Sequence, residues 1–246
     1  VKGGATGAGA KAAASHTGSM ASDDRIIDGV LAQAGAVRAI GVEAAFDAAA
    51  TLASQPPASG GNVVVVTTVG GWGVVAADAI ARSRHLRLDP LPGDLVAAID
   101  HLLPPRWSRN NPIDMAGGET RDTVPEVLRL VASHPATDAV LFLGLGIQSN
   151  QAALMRSGGF YADFGLERIV DYHERQDDRY GRAAAEVSEA TGKPILCATE
   201  LAVTHSNNAA PAAVAATGRY CAASAERAVA ALDASLSGWA GTEVRQ

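Results

Sequence analysis

Cysteine and aromatic residues are scarce in this sequence of 246 residues. It has two cysteines, and phenylalanine, tryptophan and tyrosine together make up 4% of it. Cys197 and Cys221 are widely spaced and have no neighbours at the spacing of metal ligands, so the sequence predicts no zinc site. We expect two reduced, mostly buried thiols in a cytoplasmic protein.

Long apolar runs and an excess of positive charge are also missing. The longest apolar stretch, residues 139–147, is far shorter than the roughly 20 residues that span a bilayer. The formal net charge of −6 argues against a nucleic-acid partner and against binding to anionic membranes. No basic segment followed by an apolar one opens the sequence, so secretion is not indicated. Because the chain starts with Val1 rather than Met, we expect it to be a piece of a longer parent chain.

Alanine, valine and glycine dominate what is present, a composition typical of layered α/β proteins. β-Branched runs without polar alternation predict buried parallel strands, and apolar residues at helical spacing predict helices between them. The predicted strands cover residues 36–40, 63–68, 139–143, 193–198 and 219–221. The predicted helices end at Gly35 or cover residues 42–53, 92–103, 123–133, 166–191, 208–216 and 223–236.

This alternation predicts an α/β fold: a flavodoxin-like parallel sheet with helices on both faces, over residues 62–246. Proline and glycine mark residues 55–61 as a linker. Residues 1–54 hold too few elements to enclose a core, so we expect them to be the incomplete C-terminal part of a Rossmann-like or flavodoxin-like layer.

The segment Ser15-His16-Thr17-Gly18-Ser19-Met20 is the strongest candidate for chemistry. The small residues before it predict a loop whose backbone can pass close to a ligand, and an amphipathic helix follows it. A neutral imidazole is available as a nucleophile near pH 7, and the free amide groups of a helix start bind anions. His16 is therefore a candidate phosphoryl carrier, and a helix cap or surface histidine is the alternative.

Two other interpretations of the N-terminal glycines fail on spacing. A P-loop needs adjacent glycine and lysine, but Ala10 separates Gly9 from Lys11. A dinucleotide fingerprint needs a full strand before its glycines, and only two residues precede them here.

A second strand, glycine turn and helix follow the linker. The turn Val69-Gly70-Gly71-Trp72-Gly73 again leaves a helix N-terminus open for an anion. Glycines after a buried strand also make ordinary tight turns, and both interpretations stay open. Asn111 and Asp114 lie in a predicted loop over residues 106–118, where they either order a binding loop or are simple turn residues.

These motifs resemble the NDP-forming acyl-CoA synthetases, the family that includes ADP-forming acetyl-CoA synthetase and succinyl-CoA ligase. The resemblance covers most of the chain, in the family's order, and it lies in Lys2-Gly3-Gly4, Ser15-His16-Thr17-Gly18-Ser19-Met20, residues 33–38, residues 65–73, Asn111-Pro112-Ile113-Asp114 and Gly192-Lys193-Pro194. In that family the histidine matching His16 is phosphorylated. The resemblance implies that His16 is catalytic and that the phosphate-binding residues are Ser15, Thr17, Gly18, Ser19, Gly70, Gly71, Asn111 and Asp114.

The implied reaction is a phosphoryl relay. Acyl-CoA and phosphate give an acyl phosphate, His16 takes the phosphoryl group, and the group passes to ADP in a separate ATP-grasp module. The resemblance predicts an acid-thiol ligase that is inactive without a CoA-binding Rossmann domain and an ATP-grasp domain or subunit, in an oligomer. Coenzyme A, ATP or ADP and Mg would enter as substrates through those partners, with no tightly bound cofactor and no metal site.

Two further functions compete with this one. A non-catalytic, ligand-sensing module, similar to those fused to lysine acetyltransferases in some bacteria, would not need the histidine, so His16 favours the enzyme. A flavodoxin that binds FMN would need a Ser/Thr-rich phosphate loop and aromatic pairs around the flavin, which the sequence lacks.

Overall fold

The structure, a computed structural model, describes residues 1–17 and 23–240, and its centre is a sheet of five parallel strands. The strands are β1 (Val63–Thr67), β2 (Ile113–Asp114), β3 (Ala139–Leu143), β4 (Ile195–Ala198) and β5 (Cys221–Ala222). Their order across the sheet is β2-β1-β3-β4-β5, which is the flavodoxin-like order of a doubly wound fold. The predicted fold class is confirmed.

Twelve helices lie in the described residues. They are α1 (Gly7–Thr17), α2 (Asp24–Gln33), α3 (Val42–Ser54), α4 (Gly70–Arg82), α5 (Gly93–Asp100), α6 (Thr123–Ser133), α7 (Ile147–Arg156), α8 (Leu166–Glu174), α9 (Gln176–Thr191), α10 (Leu201–Thr204), α11 (Ala209–Ala215) and α12 (Ala225–Ala240). None of these helices has the length and apolar character needed to cross a membrane.

The three central strands are buried on both faces, as their uninterrupted apolar sequences predict. Alternate residues of β1 enter different cores. Val64 and Val66 pack with α5, α6, α9 and α11 on one face, whereas Val63 and Val65 pack with α4 and α12 on the other. Because parallel strands end at the same edge, the loops after β1, β2, β3 and β4 meet along the carboxyl edge of the sheet.

The N-terminal part differs from its prediction. The small-residue run expected as a loop is helix α1, because alanine has the highest helix propensity and Gly7 and Gly9 fall in the first turn. Residues 36–40, all of them described, form no strand, and Arg38 there makes ion pairs with Asp24 and Asp28. Gly35 has a φ of 66° directly after α2, as expected of a glycine that ends a helix.

Three elements of the sheet domain were also predicted wrongly. The long helix expected over residues 166–191 is broken into α8 and α9 at Arg175. Helix α7 occupies a stretch for which no helix was predicted. Strand β2 lies inside the predicted loop 106–118, where two residues are too short a pattern to be distinguished from a turn.

An ion pair between the buried Asp47 and the half-buried Arg227 joins α3 to α12. The Asp47 carboxylate accepts hydrogen bonds from Arg227 Nε at 2.7 Å and Nη2 at 2.8 Å, and another from the Tyr220 hydroxyl. Burial opposes ionisation, but these donors outweigh it and hold the pKa of the Asp47 carboxyl below its usual value.

A second contact joins the segment after α3 to the sheet, because Gln55 exchanges hydrogen bonds with the backbone of Ile195. The division into residues 1–54, a linker and residues 62–246 stays a prediction.

Arg227→Gln should leave the Asp47 charge buried without its partner and lower the free energy of unfolding by about 2 kcal/mol at pH 7. The matched control is Arg182→Gln, which removes an exposed partner of Asp178 and should cost less than about 0.5 kcal/mol. Urea unfolding measures both.

The pH dependence supplies the second check. Since the pKa of Asp47 is depressed in the folded state, its contribution to stability is present at neutral pH and lost as the pH falls below about 4. The gap between Arg227→Gln and the unsubstituted chain should therefore narrow in acid. Equal losses for the two arginine variants at pH 7 would contradict this account.

Candidate functional site

The turn between β1 and α4 presents an uncapped helix start at the carboxyl edge of the sheet. The Thr67 hydroxyl accepts a hydrogen bond from the Val69 amide at 2.9 Å and donates one to the Val69 carbonyl at 2.8 Å, which bends the chain out of the strand. Helix α4 then begins directly at Gly70. Its N-cap residue, Val69, makes no side-chain hydrogen bond, so the positive end of the helix lacks a side-chain cap.

Asp114 lies against this helix start. Its Oδ1 accepts a hydrogen bond from the Ala116 amide at 2.9 Å, and a Cβ built on Gly70 would overlap its Oδ2. Glycine at position 70 is therefore what allows the carboxylate to approach the helix. A Cβ on Gly71, in contrast, would meet nothing within 4 Å, so that side of the helix start is open.

The Asn111 side chain holds the loop that carries Asp114. This residue is 5% exposed. Its Oδ1 accepts from the Val65 amide at 3.0 Å, and its Nδ2 donates to the carbonyls of Val63 at 2.8 Å and Asp89 at 3.1 Å. Because both amide hydrogens and the oxygen are engaged with backbone, Asn111 orders the loop in this structure and has little left to offer a ligand.

His16 lies in the last turn of α1 and is exposed, as is Ser15, whose hydroxyl donates to the Ala12 carbonyl at 2.7 Å. Thr17 ends the helix, and the predicted site residues Gly18 and Ser19 lie outside the described residues. The helix start expected to follow His16 directly is that of α2, where the Asp23 carboxylate accepts from the Arg25 amide at 2.9 Å. A capping carboxylate already serves that start.

The structure thus groups Gly70, Gly71, Asn111 and Asp114 around one helix start. Within the two described ranges, no hydrogen bond or ion pair joins His16 to this group. The described residues also contain no cluster of three or more histidine, cysteine or acidic side chains that would hold a metal ion.

A similar helix start follows β3 but is closed. The buried Asp177 carboxylate accepts from the Gly146 amide at 2.8 Å and from the Ser149 amide at 3.1 Å, and it caps α7. Burial raises the pKa of this carboxyl. Asp177 is not among the site residues predicted from the sequence, since it lies 31 residues beyond Gly146 in the chain.

Two family models match this chain. Residues 1–52 match the succinyl-CoA ligase like flavodoxin domain, and residues 63–148 match the Ligase-CoA domain. The resemblance to NDP-forming acyl-CoA synthetases is therefore confirmed for these two segments.

Relatives with a named activity show the same similarity in sequence. The chain is 35% identical over 141 residues to a 4-hydroxybutyrate–CoA ligase (ADP-forming) of Nitrosopumilus maritimus, an alignment covering 57% of this chain and 20% of that protein. It is 37% identical over 143 residues to subunit alpha of acetate–CoA ligase (ADP-forming) I of Pyrococcus furiosus, covering 58% of this chain and 30% of that one. The chain thus spans less than a third of either relative.

A solved structure aligns with nearly the whole chain. It is the dinucleotide-forming acetyl-coenzyme A synthetase 1 of Ca. Korarchaeum cryptofilum in complex with phosphate and ADP, with 25% identity and a TM-score of 0.74. The alignment covers 99% of this chain and 47% of that one.

Gly70→Ala should force the Asp114 carboxylate away from α4, whereas Gly71→Ala meets open space. Both substitutions gain the same helix propensity, so the difference between them isolates the clash, which we expect to cost about 1 kcal/mol of unfolding free energy. In an Asp114→Ala background the difference should vanish. Thermal or urea unfolding of the four variants and the two parents tests this, and a difference that persists without Asp114 would contradict the assigned contact.

Proposed function

From the similarity of residues 1–52 and 63–148 to ADP-forming acyl-CoA ligases, we propose that this chain carries the phosphohistidine segment and the flavodoxin-like domain of an ADP-forming acyl-CoA synthetase. The observation that carries the proposal is the presence, in one chain, of an exposed histidine in the family's motif and of an uncapped helix start that is open at Gly71.

His16 is the proposed phosphoryl carrier. Its unprotonated ring nitrogen attacks the phosphorus of an acyl phosphate, the bond from phosphorus to the acyl oxygen breaks, and the carboxylate leaves. In the second half-reaction a terminal phosphate oxygen of ADP attacks the same phosphorus and the nitrogen–phosphorus bond breaks, giving ATP. Exposure of the imidazole supports this role, since the carrier has to reach two different reaction partners.

The start of α4 is the proposed station for the phosphoryl group. An uncapped helix start offers amide donors and a positive dipole end, which stabilises an anion by about 1 kcal/mol at an exposed site. Gly71 leaves room for approach to the backbone. A stabilisation of this size holds the group without trapping it, as a relay requires.

The other predicted residues take supporting roles in this proposal. Asn111 positions the loop, and Asp114 limits the space beside Gly70, so the anion approaches from the side of Gly71. Ser15, Thr17, Gly18 and Ser19 flank the carrier and would contact the phosphoryl group once it is on His16.

The proposed reaction needs domains beyond this chain. A CoA-binding Rossmann domain and an ATP-grasp domain or subunit would supply the sites for coenzyme A, for ATP or ADP and for Mg, in a cytoplasmic oligomer. The relatives named above are ligases, which favours the synthetase over a ligand-sensing module of the acetyltransferase type.

His16→Asn should abolish acid-labile, base-stable labelling by radioactive ATP in an assembly of this chain with the CoA-binding and ATP-grasp domains. Asparagine retains polarity but has no nucleophilic ring nitrogen. The exposed residue His101 provides the control, since His101→Asn should label like the unsubstituted chain. Label that persists in His16→Asn would remove this residue from the mechanism.

Gly71→Ala should slow the transfer of phosphoryl from labelled acetyl phosphate to His16 by about tenfold in the same assembly, because the added methyl group blocks the approach of the anion to the backbone. Since this methyl group meets nothing in the chain itself and adds helix propensity, a stability that is not reduced would show that the slower transfer arises at the ligand. Transfer at the unsubstituted rate would place the phosphate station elsewhere.

A further inference from the structure

Helices α7 and α8 and the turn 157–165 between them form a hairpin, called here the aromatic hairpin. In a sequence with few aromatic residues, it holds two of the four phenylalanines and two of the four tyrosines. Phe160 is 70% exposed and Phe164 is 89% exposed, and their rings meet edge to face with 6.3 Å between the centroids. Exposed aromatic side chains are the ones that contribute most to binding between proteins.

Backbone hydrogen bonds fix the turn that carries the two phenylalanines. The Tyr161 amide donates to the Gly158 carbonyl at 3.1 Å, and the Asp163 amide donates to the Phe160 carbonyl at 3.1 Å. The Leu166 amide in turn donates to the Asp163 carbonyl at 3.0 Å. Because the chain itself orders this turn, little conformational freedom is lost when the rings bind a partner.

Phe164 has a backbone conformation that is unfavourable for its residue type. Its φ is 55°, in the left-handed region where an aromatic residue is uncommon. Since its ring is mostly exposed, packing within the chain does little to compensate for this strain. Strained residues of this kind concentrate at functional sites, so the conformation of Phe164 favours a contact outside the chain.

The charges on α8 indicate which partner fits the aromatic hairpin. Within residues 1–17 and 23–240, Glu167 and Arg168 near the start of α8 form no ion pair, and neither does Arg175 at its end. When two copies of α8 cross antiparallel about a two-fold axis, the start of each helix lies beside the end of the other. Glu167 then lies near Arg175 of the second copy, so the charges of this surface complement each other.

The exposed apolar area is large enough for such a contact. Three further apolar side chains of the aromatic hairpin are more than 40% exposed, namely Leu154, Ile169 and Tyr172. With the two phenylalanines they offer about 500 Å² on each copy, since a buried aromatic side chain covers about 200 Å². Two copies would bury about 1,000 Å², which is the area that a specific interface has to reach.

We propose that the aromatic hairpin is the contact surface between two copies of this chain, related by a two-fold axis. Phe160 and Phe164 are its central side chains, and the ends of α8 supply complementary charges around them. This inference depends on the aromatic hairpin alone and not on the phosphoryl relay proposed above.

The test is sedimentation equilibrium of the chain over a range of concentrations. An interface of this area should give a reversible dimer at micromolar concentrations. Phe164→Asn should weaken the dimer about thirtyfold, because a two-fold contact loses the ring from both copies. Asparagine tolerates a positive φ, so the turn should keep its conformation. Phe160→Ser should weaken the dimer to a similar extent.

Phe46→Ser is the matched control. Phe46 lies on α3, outside the aromatic hairpin, and is 70% exposed, the same fraction as Phe160. This variant should form dimers like the unsubstituted chain. Urea unfolding provides the second control, because Phe164→Asn should not lower the free energy of unfolding if its ring acts only between copies.

Three outcomes would overturn the inference. The first is a chain that stays monomeric at its highest soluble concentration, and the second is a dimer that neither Phe160→Ser nor Phe164→Asn weakens. The third is a dimer that Phe46→Ser weakens as much as Phe160→Ser does. A monomer whose Phe164 is needed to bind an ATP-grasp subunit would also refute the two-fold contact. Labelling of His16 is measured separately, so a monomeric chain with a labelled His16 refutes this inference and leaves the relay intact.

Discussion

The hydrogen bonds of the Asn111 amide hold together the part of the molecule on which the candidate site depends. Strand β2 has only two residues and pairs with β1 at Val66 and Thr67, so it is a weak edge on its own. The Asn111 side chain extends that pairing by bonding the backbone at Val63 and Val65. A buried amide with all of these groups satisfied rigidifies its surroundings. Asp114 therefore contacts α4 from a loop that is fixed to the sheet. The open space beside Gly71 is determined in the same way by the position of that loop.

The unit of strand, turn and helix occurs at both β1 and β3, but the two helix starts differ in how they are capped. Both units place a helix start at the carboxyl edge, where unpaired amide groups favour an anion. After β3 the chain supplies that anion internally, because Asp177 caps α7. After β1 no side-chain hydrogen bond caps α4, although the Asp114 carboxylate lies beside Gly70. The same edge of the sheet thus carries one helix start with a side-chain cap and one without.

Periodicity sufficed for the central strands and most long helices, because residues such as Val63–Thr67 and Thr123–Ser133 carry patterns that burial imposes directly. Periodicity was insufficient where contacts between residues distant in the sequence determine the secondary structure. Ile113 and Asp114 are a strand only because β1 lies beside them, and the break at Arg175 accompanies the burial of Gln176 and Asp177 in the first turn of α9. The glycines of the α4 turn were found from the sequence, but the roles of Gly70 and Gly71 differ only through Asp114, which lies elsewhere in the chain.

The position of His16 adds a constraint on any relay. The last turn of a helix is the negative end of its dipole, so α1 disfavours an anionic phosphoryl group where His16 lies in this structure. The nearest following helix start, that of α2, is already capped by a carboxylate, which adds charge of the same sign. A phosphorylated His16 would therefore be better stabilised at a helix start that no side chain caps, and α4 has such a start, although the Asp114 carboxylate lies beside Gly70. In the proposed relay, the dipole of α1 thus opposes storage of the phosphoryl group at the end of that helix and favours its transfer elsewhere.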